Sequence, residues 1–225
     1  MEHGRSASAR SPGGEPAPRL DTSGTRDQND PMRRALLVAG LLALPLAVPL
    51  PGCGDPGPHV AGDVVDLDGR AVDPMRAGAV ASVLLFVSVD CPISNRYAPE
   101  IARLGREFSA HGVALWLVYP NRDDGADEIR GHLAEYGLRL PALRDPRHAL
   151  VRAADARWTP EAAVVVPDAG VIYRGRIDDR YVAFGTSRPE PTRHDLRDVL
   201  RAVVGGRVPP PRTTEVVGCH IQPLD

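Results

Sequence analysis

The chain's three cysteines, Cys53, Cys91 and Cys219, are the residues best equipped for chemistry. Cys91 lies in "VSVDCPISNRYAPEI", residues 87 to 101, where an apolar β-branched run meets a proline and then helix formers. A cysteine there opens a helix, with Pro92 at the first helical position. The helix N-terminus supplies free N–H donors and partial positive charge, both of which favour the thiolate that does thiol chemistry. A Ser94 hydroxyl donating to that thiolate adds about 1 kcal/mol or somewhat more; a nearby Asp90 carboxylate opposes it. The plainer reading of Cys91 is a small buried hydrophobe, a common fate of free cysteine.

An oxidised Cys91 needs a second thiol. Cys219, in "GCHI" near the C-terminus, is the candidate left if Cys53 is used elsewhere. Sulfenic acid on Cys91 would condense with it to a disulfide, which an external thiol reductant or electron-donor protein then reopens. The other reading of Cys219 is a partner-facing or unpaired residue. His220 beside it would help activate it or simply be exposed.

Rival chemistries find less support. Seven histidines are present, none paired at a ligand spacing, and no Cys or His lies within four residues of Cys91. Zinc needs three or four converging ligands, so no metal is expected. A haem attachment motif and a phosphate-binding glycine loop are both missing, so no cofactor is expected either. A net charge of −2 and 4% aromatic residues offer neither the basic field nor the stacking platforms of a nucleic-acid binder. No oligomeric state follows from the sequence.

The elements around Cys91 alternate. Residues 57 to 74 read as a β-hairpin about the turn "DLDGR". The run 79 to 90 is a strand buried on both faces, 92 to 110 a helix ending at "HG", and 113 to 120 a second buried strand, together a parallel crossover unit. A helix with Ile129, Leu133 and Tyr136 on one face follows and stops at Gly137. After it come a short strand in "LRLPALRD", a short helix in "PRHALVRAADA", and a hairpin over 162 to 177 turning at "PDAG". The last helix, in "TRHDLRDVLRAVVGG", is expected to start on a Thr192/Asp195 capping box and to end at Gly205. Residues 207–225 form a Pro-rich, extended, flexible tail carrying Cys219. The pattern is an α/β fold, a mixed central sheet flanked by helices.

Residues 1–31 contain almost nothing that could be buried and read as disordered or as a mis-assigned start. Residues 32–53 read as an export signal: Met32, two arginines, an apolar run from Ala35 to Leu50, then small residues. Pro45, Pro49 and Pro51 argue against a membrane-spanning helix. "LPGC", 50 to 53, is similar to a bacterial lipobox, with Pro51 as its departure. On that reading Cys53 is lipidated and tethers the domain, residues 54–206, to a membrane surface; otherwise it is a small residue of a signal cut elsewhere. Either way the expectation is an exported domain, periplasmic or membrane-anchored, where disulfides persist.

"CPISNRYAP" resembles the active-site segment of the thioredoxin fold, in which Cys-x-x-Cys opens a helix and Ala-Pro follows. Cys91 takes the first cysteine position and Ser94 the second, while Pro99 falls where that family's first helix is kinked. "RWTPEAAVVVPDAGVIYRG" resembles the segment in which Thr159 precedes a cis proline, here Pro160, beside the active-site sulfur. Together with "GRIDDR" and the terminal "GC-x-I", the chain is similar over residues 58 to 221 to exported bacterial redoxins of the alkyl hydroperoxide reductase and thiol-specific antioxidant branch. Ser94 rules out a local Cys-x-x-Cys disulfide. Ser88 matches the Ser/Thr of the peroxiredoxin motif, but Leu84 stands at its upstream proline; Arg176 and Arg180 are the candidates for its arginine.

The resemblance implies an antioxidant-type thiol oxidoreductase that reduces a peroxide or a disulfide through Cys91. Missing the second local cysteine favours the peroxide. Ser88 and Ser94 would donate to the sulfur, Pro160 and Thr159 would shape a substrate groove, and Asp178, Asp179 and Arg180 would flank it or form a solvated surface turn. The alternative is a non-catalytic module whose groove holds a partner protein or metallocentre.

Overall fold

Every residue of Ala81–Phe86 (β2) is buried, because this strand is the middle one of a seven-stranded sheet. Alternate side chains feed two cores: Val83 and Leu85 enter one, Leu84 and Phe86 the other. A strand covered on both faces reads as a near-continuous apolar run, and the one polar residue here, Ser82, donates its hydroxyl to the Pro74 carbonyl at 2.6 Å. The computed structural model describes residues 62–76 and 78–224. The export signal and Cys53 lie outside them.

In chain order, β1 (Val65–Asp66) precedes β2, α1 (Pro92–Ser109), β3 (Val113–Tyr119), α2 (Ala126–Glu135) and β4 (Ala142–Arg144). Then come α3 (Ala149–Ala154), β5 (Trp158–Thr159), β6 (Glu161–Val166), β7 (Gly170–Gly175), β8 (Tyr181–Ala183) and β9 (Thr186–Ser187). Last are α4 (Asp195–Val204), β10 (Arg212–Thr213) and β11 (Cys219–His220). The main sheet runs β1-β4-β3-β2-β6-β7-β10, with β2, β3 and β4 parallel and β6 antiparallel to β2. Side chains of α1, α2 and α4 pack one face with Val83 and Leu85; those of α3 pack the other. This is the mixed, helix-flanked α/β sheet expected from the pattern.

Three local expectations change. Val65 bridges Ala71 across the "DLDGR" turn, but the hairpin goes no further: β1 pairs with β4 and caps the sheet edge. The capping box at α4 does not form. His194 is the N-cap without a side-chain bond, and the Thr192 hydroxyl donates instead to Asp179 Oδ2 at 2.6 Å. Asp195 bonds Arg176 Nε at 2.8 Å. A buried carboxylate outcompetes a helix end for these groups because an unpaired buried charge costs far more than an uncapped turn.

The tail is docked rather than loose. β10 adds to the main sheet parallel to β7, and β11 pairs antiparallel with β5, setting Cys219 opposite Thr159. Ile221 is buried in the second core. Two glycines permit the close approach. A Cβ at Gly175, whose φ is +144°, would run into Thr214, and one at Gly218 would lie 2.5 Å from the Thr159 carbonyl oxygen. Burying Ile221 removes apolar surface worth roughly 1.5–3 kcal/mol, which fixes an otherwise extended segment.

Candidate active site

Cys91 is the N-cap of α1, with φ −84° and ψ 109°, and only 1% of it is exposed. The Ser94 amide donates to its Sγ at 3.5 Å, and the thiol donates to the Thr159 carbonyl at 3.0 Å. The Thr159–Pro160 bond is cis, and this turn brings the Thr159 carbonyl to the sulfur. No bond by geometry joins the buried Ser94 hydroxyl to any group in this thiol form; the hydroxyl is set to donate once Cys91 loses its proton.

The docked tail sets Cys219 opposite Thr159, whose carbonyl accepts the Cys91 thiol, and both cysteines are free thiols. Burial pushes the Cys91 thiol up. Hydrogen bonds from the Cys219 thiol, the Ser94 amide and hydroxyl, and the Thr159 hydroxyl more than offset that, and hold it below its ordinary value. Cys219 moves the other way. Burial, its bond to Cys91 and the charge that Cys91 carries push it up to about 12. The two cysteines are thus shifted in opposite directions.

A polar frame holds the turn before Cys91. The Ser88 hydroxyl accepts from Asn121 Nδ2 at 2.8 Å, so it serves this frame and is not among the groups bonded to the sulfur. Asn95 Nδ2 donates to the Val89 carbonyl at 3.0 Å. Asn95 Oδ1 in turn meets His132 Nε2 at 2.8 Å, and His132 Nδ1 meets Tyr119 OH at 2.9 Å. Since Asn95 Oδ1 only accepts, Nε2 carries the proton and Nδ1 accepts from the tyrosine. Burial lowers the His132 pKa, which suits this neutral tautomer. Beside them Asp124 is buried with one carboxylate oxygen unpartnered. Nothing in the sequence singled out Asn95, Asn121, His132 or Asp124, although a histidine three residues from Ile129 on the buried face of α2 was a readable sign.

The remaining candidates lie further out. Tyr97, on α1, donates to Asp178 Oδ1 at 2.6 Å, tying this loop to the helix that Cys91 caps. Asp179 is spent on Thr192 and Arg193. The reading of Asp178 and Asp179 as a solvated turn is therefore corrected: both are buried, because each accepts several N–H or O–H groups. Arg180 is only half-buried. Arg176 pairs with Asp195, and neither arginine is among the groups bonded to Cys91. Among the described residues no group of three or more His, Cys, Asp or Glu could hold a metal ion, and no helix is long and apolar enough to cross a membrane.

The redoxin family profile matches residues 53–183, more than half of the chain. The chain belongs to the redoxin family. Its solved-structure likenesses agree with this thioredoxin-like fold. The redoxin is similar to an uncharacterized conserved protein from Geobacillus kaustophilus at 25% identity, over 75% of this chain and 90% of that one, with a TM-score of 0.63. It is similar to a hypothetical protein from Sinorhizobium meliloti 1021 at 21% identity, over 70% and 88%, with a TM-score of 0.59. No curated protein matches it significantly. The family match ends at residue 183, before β10, β11 and Cys219.

Proposed function

We propose that this redoxin is an exported thiol oxidoreductase whose redox couple is Cys91 and Cys219, and that it reduces a small hydroperoxide. The observation that carries the reading is that Thr159 holds both cysteines: Cys219 is its partner across the β5–β11 ladder, and its carbonyl accepts the Cys91 thiol at 3.0 Å. The Cys91 thiolate attacks the peroxide: an S–O bond forms, the O–O bond breaks, and the leaving oxygen takes a proton to give an alcohol or water. The Cys219 sulfur then attacks the Cys91 sulfenic acid. An S–S bond forms, the S–O bond breaks, and the departing hydroxide leaves as water with the Cys219 proton. The 1% exposure of Cys91 favours a small oxidant over a protein disulfide, which would first have to displace the tail. An external thiol restores the couple. Export and a lipid anchor at Cys53 rest on the signal and the "LPGC" stretch of the sequence.

The test is one equivalent of hydrogen peroxide on the chain starting after Cys53, followed by non-reducing peptide mass spectrometry. The expected result is a rapid Cys91–Cys219 disulfide. Two thiols still free after peroxide, but joined after treatment with a disulfide oxidant, would transfer the couple to disulfide chemistry. Thiols inert to both would end the reading.

A further inference from the structure

Asn95 binds the chain on both sides of the Cys91 sulfur. Its backbone N–H donates to the Cys91 carbonyl at 3.0 Å, the first hydrogen bond of α1. Its side-chain Nδ2 donates to the Val89 carbonyl, also at 3.0 Å. The Cys91 N–H is tied back in turn to the Ser88 carbonyl at 3.3 Å. One residue of the first helical turn thus fixes the backbone around the sulfur, and the Ser94 amide of that same turn donates to Sγ at 3.5 Å. That contact is long for a hydrogen bond and depends on angle, so the direction of the turn decides its strength.

The Asn95 side chain does not set its own direction, because an amide on a helix has several rotamers open to it. Its Oδ1 meets His132 Nε2 at 2.8 Å, and His132, buried on α2, is oriented by Tyr119 OH at 2.9 Å. Tyr119 ends β3, the strand beside β2, so the imidazole takes its place from the sheet and passes it to Asn95. Neither Asn95 nor His132 is among the groups bonded to the sulfur.

We propose that Asn95 and His132 are positioning residues for the chemistry of Cys91: His132 orients Asn95, and Asn95 holds Val89–Cys91 so that the Ser94 amide and hydroxyl face the sulfur. This rests on Cys91 being the reactive thiol proposed above. Loosening either residue lets the segment turn, weakens the donors on the thiolate and shifts the sulfur toward its protonated form. Glutamine is the conservative replacement for His132, since its amide nitrogen reaches the place of Nε2 and keeps a donor for Asn95 Oδ1. Leucine keeps none.

The experiment follows the Cβ chemical shift of isotope-labelled cysteine against pH in the full chain in detergent. It needs no reagent to reach a buried sulfur, and the signals are assigned with Cys53→Ser and Cys219→Ser. Asn95→Ala and His132→Leu are expected to raise the Cys91 midpoint and lower its thiolate population at neutral pH about ten-fold, as losing one hydrogen bond to a charged acceptor does. Asn95 is half-buried at a helical position that alanine suits, so Asn95→Ala carries the comparison should His132→Leu fail to fold. His132→Gln is expected to keep the parent midpoint. Leu150→Ala, in the second core, lowers stability away from the site and should leave the midpoint in place. Midpoints unmoved in Asn95→Ala, or a shift that Leu150→Ala shares, overturn the inference while leaving Cys91 as the reactive thiol. A parent midpoint at or above the ordinary cysteine value ends the reading of Cys91 and the inference with it, and is seen before any variant is compared.

Discussion

Thr159 and Cys219 face one another across the two-residue β5–β11 ladder, and the same Thr159 carbonyl receives the Cys91 thiol at 3.0 Å. One residue thus registers both sulfurs. Its cis link to Pro160 turns the carbonyl toward the N-terminus of α1, and its strand partner brings in the tail.

Removing the second sulfur separates two of its effects. Cys219→Ala deletes the hydrogen bond that most strongly lowers the Cys91 pKa, so the Cys91 pKa rises. Cys219→Ser keeps a donor at that place and retains much of the lowering. Neither variant forms the internal disulfide. Thiolate absorbance against pH checks the first statement, and an unchanged curve for Cys219→Ala would contradict it.

Gly218→Val attacks the docking itself. Its Cβ would lie 2.5 Å from the Thr159 oxygen and 3.0 Å from the Thr159 carbon, and backbone atoms cannot swing aside as a flexible side chain can. The expected loss is about 1–3 kcal/mol, typical of overpacking, with slower disulfide formation after peroxide. Urea unfolding and quenched mass analysis measure the two. A variant that forms the disulfide at the parent rate would show that β11 need not pair with β5.

Much of this was readable in the sequence, and the reason differs by element. Ala81–Phe86 announced itself because burial on both faces leaves Ser82 as the one polar residue of the strand, and Pro92 marked the start of α1 because the first helical position needs no backbone N–H. The docking of Cys219 was not readable. β11 is two residues long, has no period, and depends on a partner strand distant in sequence and on the missing side chain of Gly218. The Thr192/Asp195 capping box misled because a local pattern carries no information about Asp179, which takes the Thr192 groups across a loop. The frame behind Cys91 is built from ordinary Asn and His residues whose meaning exists only once α1, α2 and the loop after β3 converge.

That frame can be broken at one point. His132→Leu leaves Tyr119 OH and Asn95 Oδ1 without their partner. Each orphaned group costs about 1–3 kcal/mol. Tyr119→Phe removes one of the two contacts, so it should cost less, and the double variant should fall short of the sum because the residues share one network. Chemical denaturation of the four proteins measures this, and full additivity would contradict a shared network.

Cys53 has a separate test in the cell. If Cys53 is lipidated, the wild-type chain partitions with membranes after expression in a bacterial host, and Cys53→Ser is recovered in a soluble fraction. Equal distribution of the two would remove the lipid anchor and leave the export signal to be judged alone.

Asp124 sets a pH dependence of opposite sign to that of the histidines. Burial, with the charges of Glu128 and Asp90, raises its pKa to about 6 from 3.8, against hydrogen bonds from Asn121 and Val89. Above about pH 6 the folded chain holds a carboxylate that it disfavours; as pH falls from about 6 toward 3.8 it binds a proton that the unfolded chain does not, and it gains stability. Burial lowers His132 and His148 below their ordinary 6.5, so acidification protonates them first in the unfolded chain and stability is lost. Comparing Asp124→Asn with its parent cancels the histidines, and Asp145, raised to about 6 by burial, cancels likewise. The variant should be more stable at pH 7.5 by up to about 3 kcal/mol, with the advantage fading below about pH 4, where the parent's Asp124 is protonated in both states. Urea unfolding at the two pH values measures the difference. An advantage that persists in acid would mean that the substituted amide gains a contact of its own and that the unpartnered Asp124 oxygen carries no charge penalty.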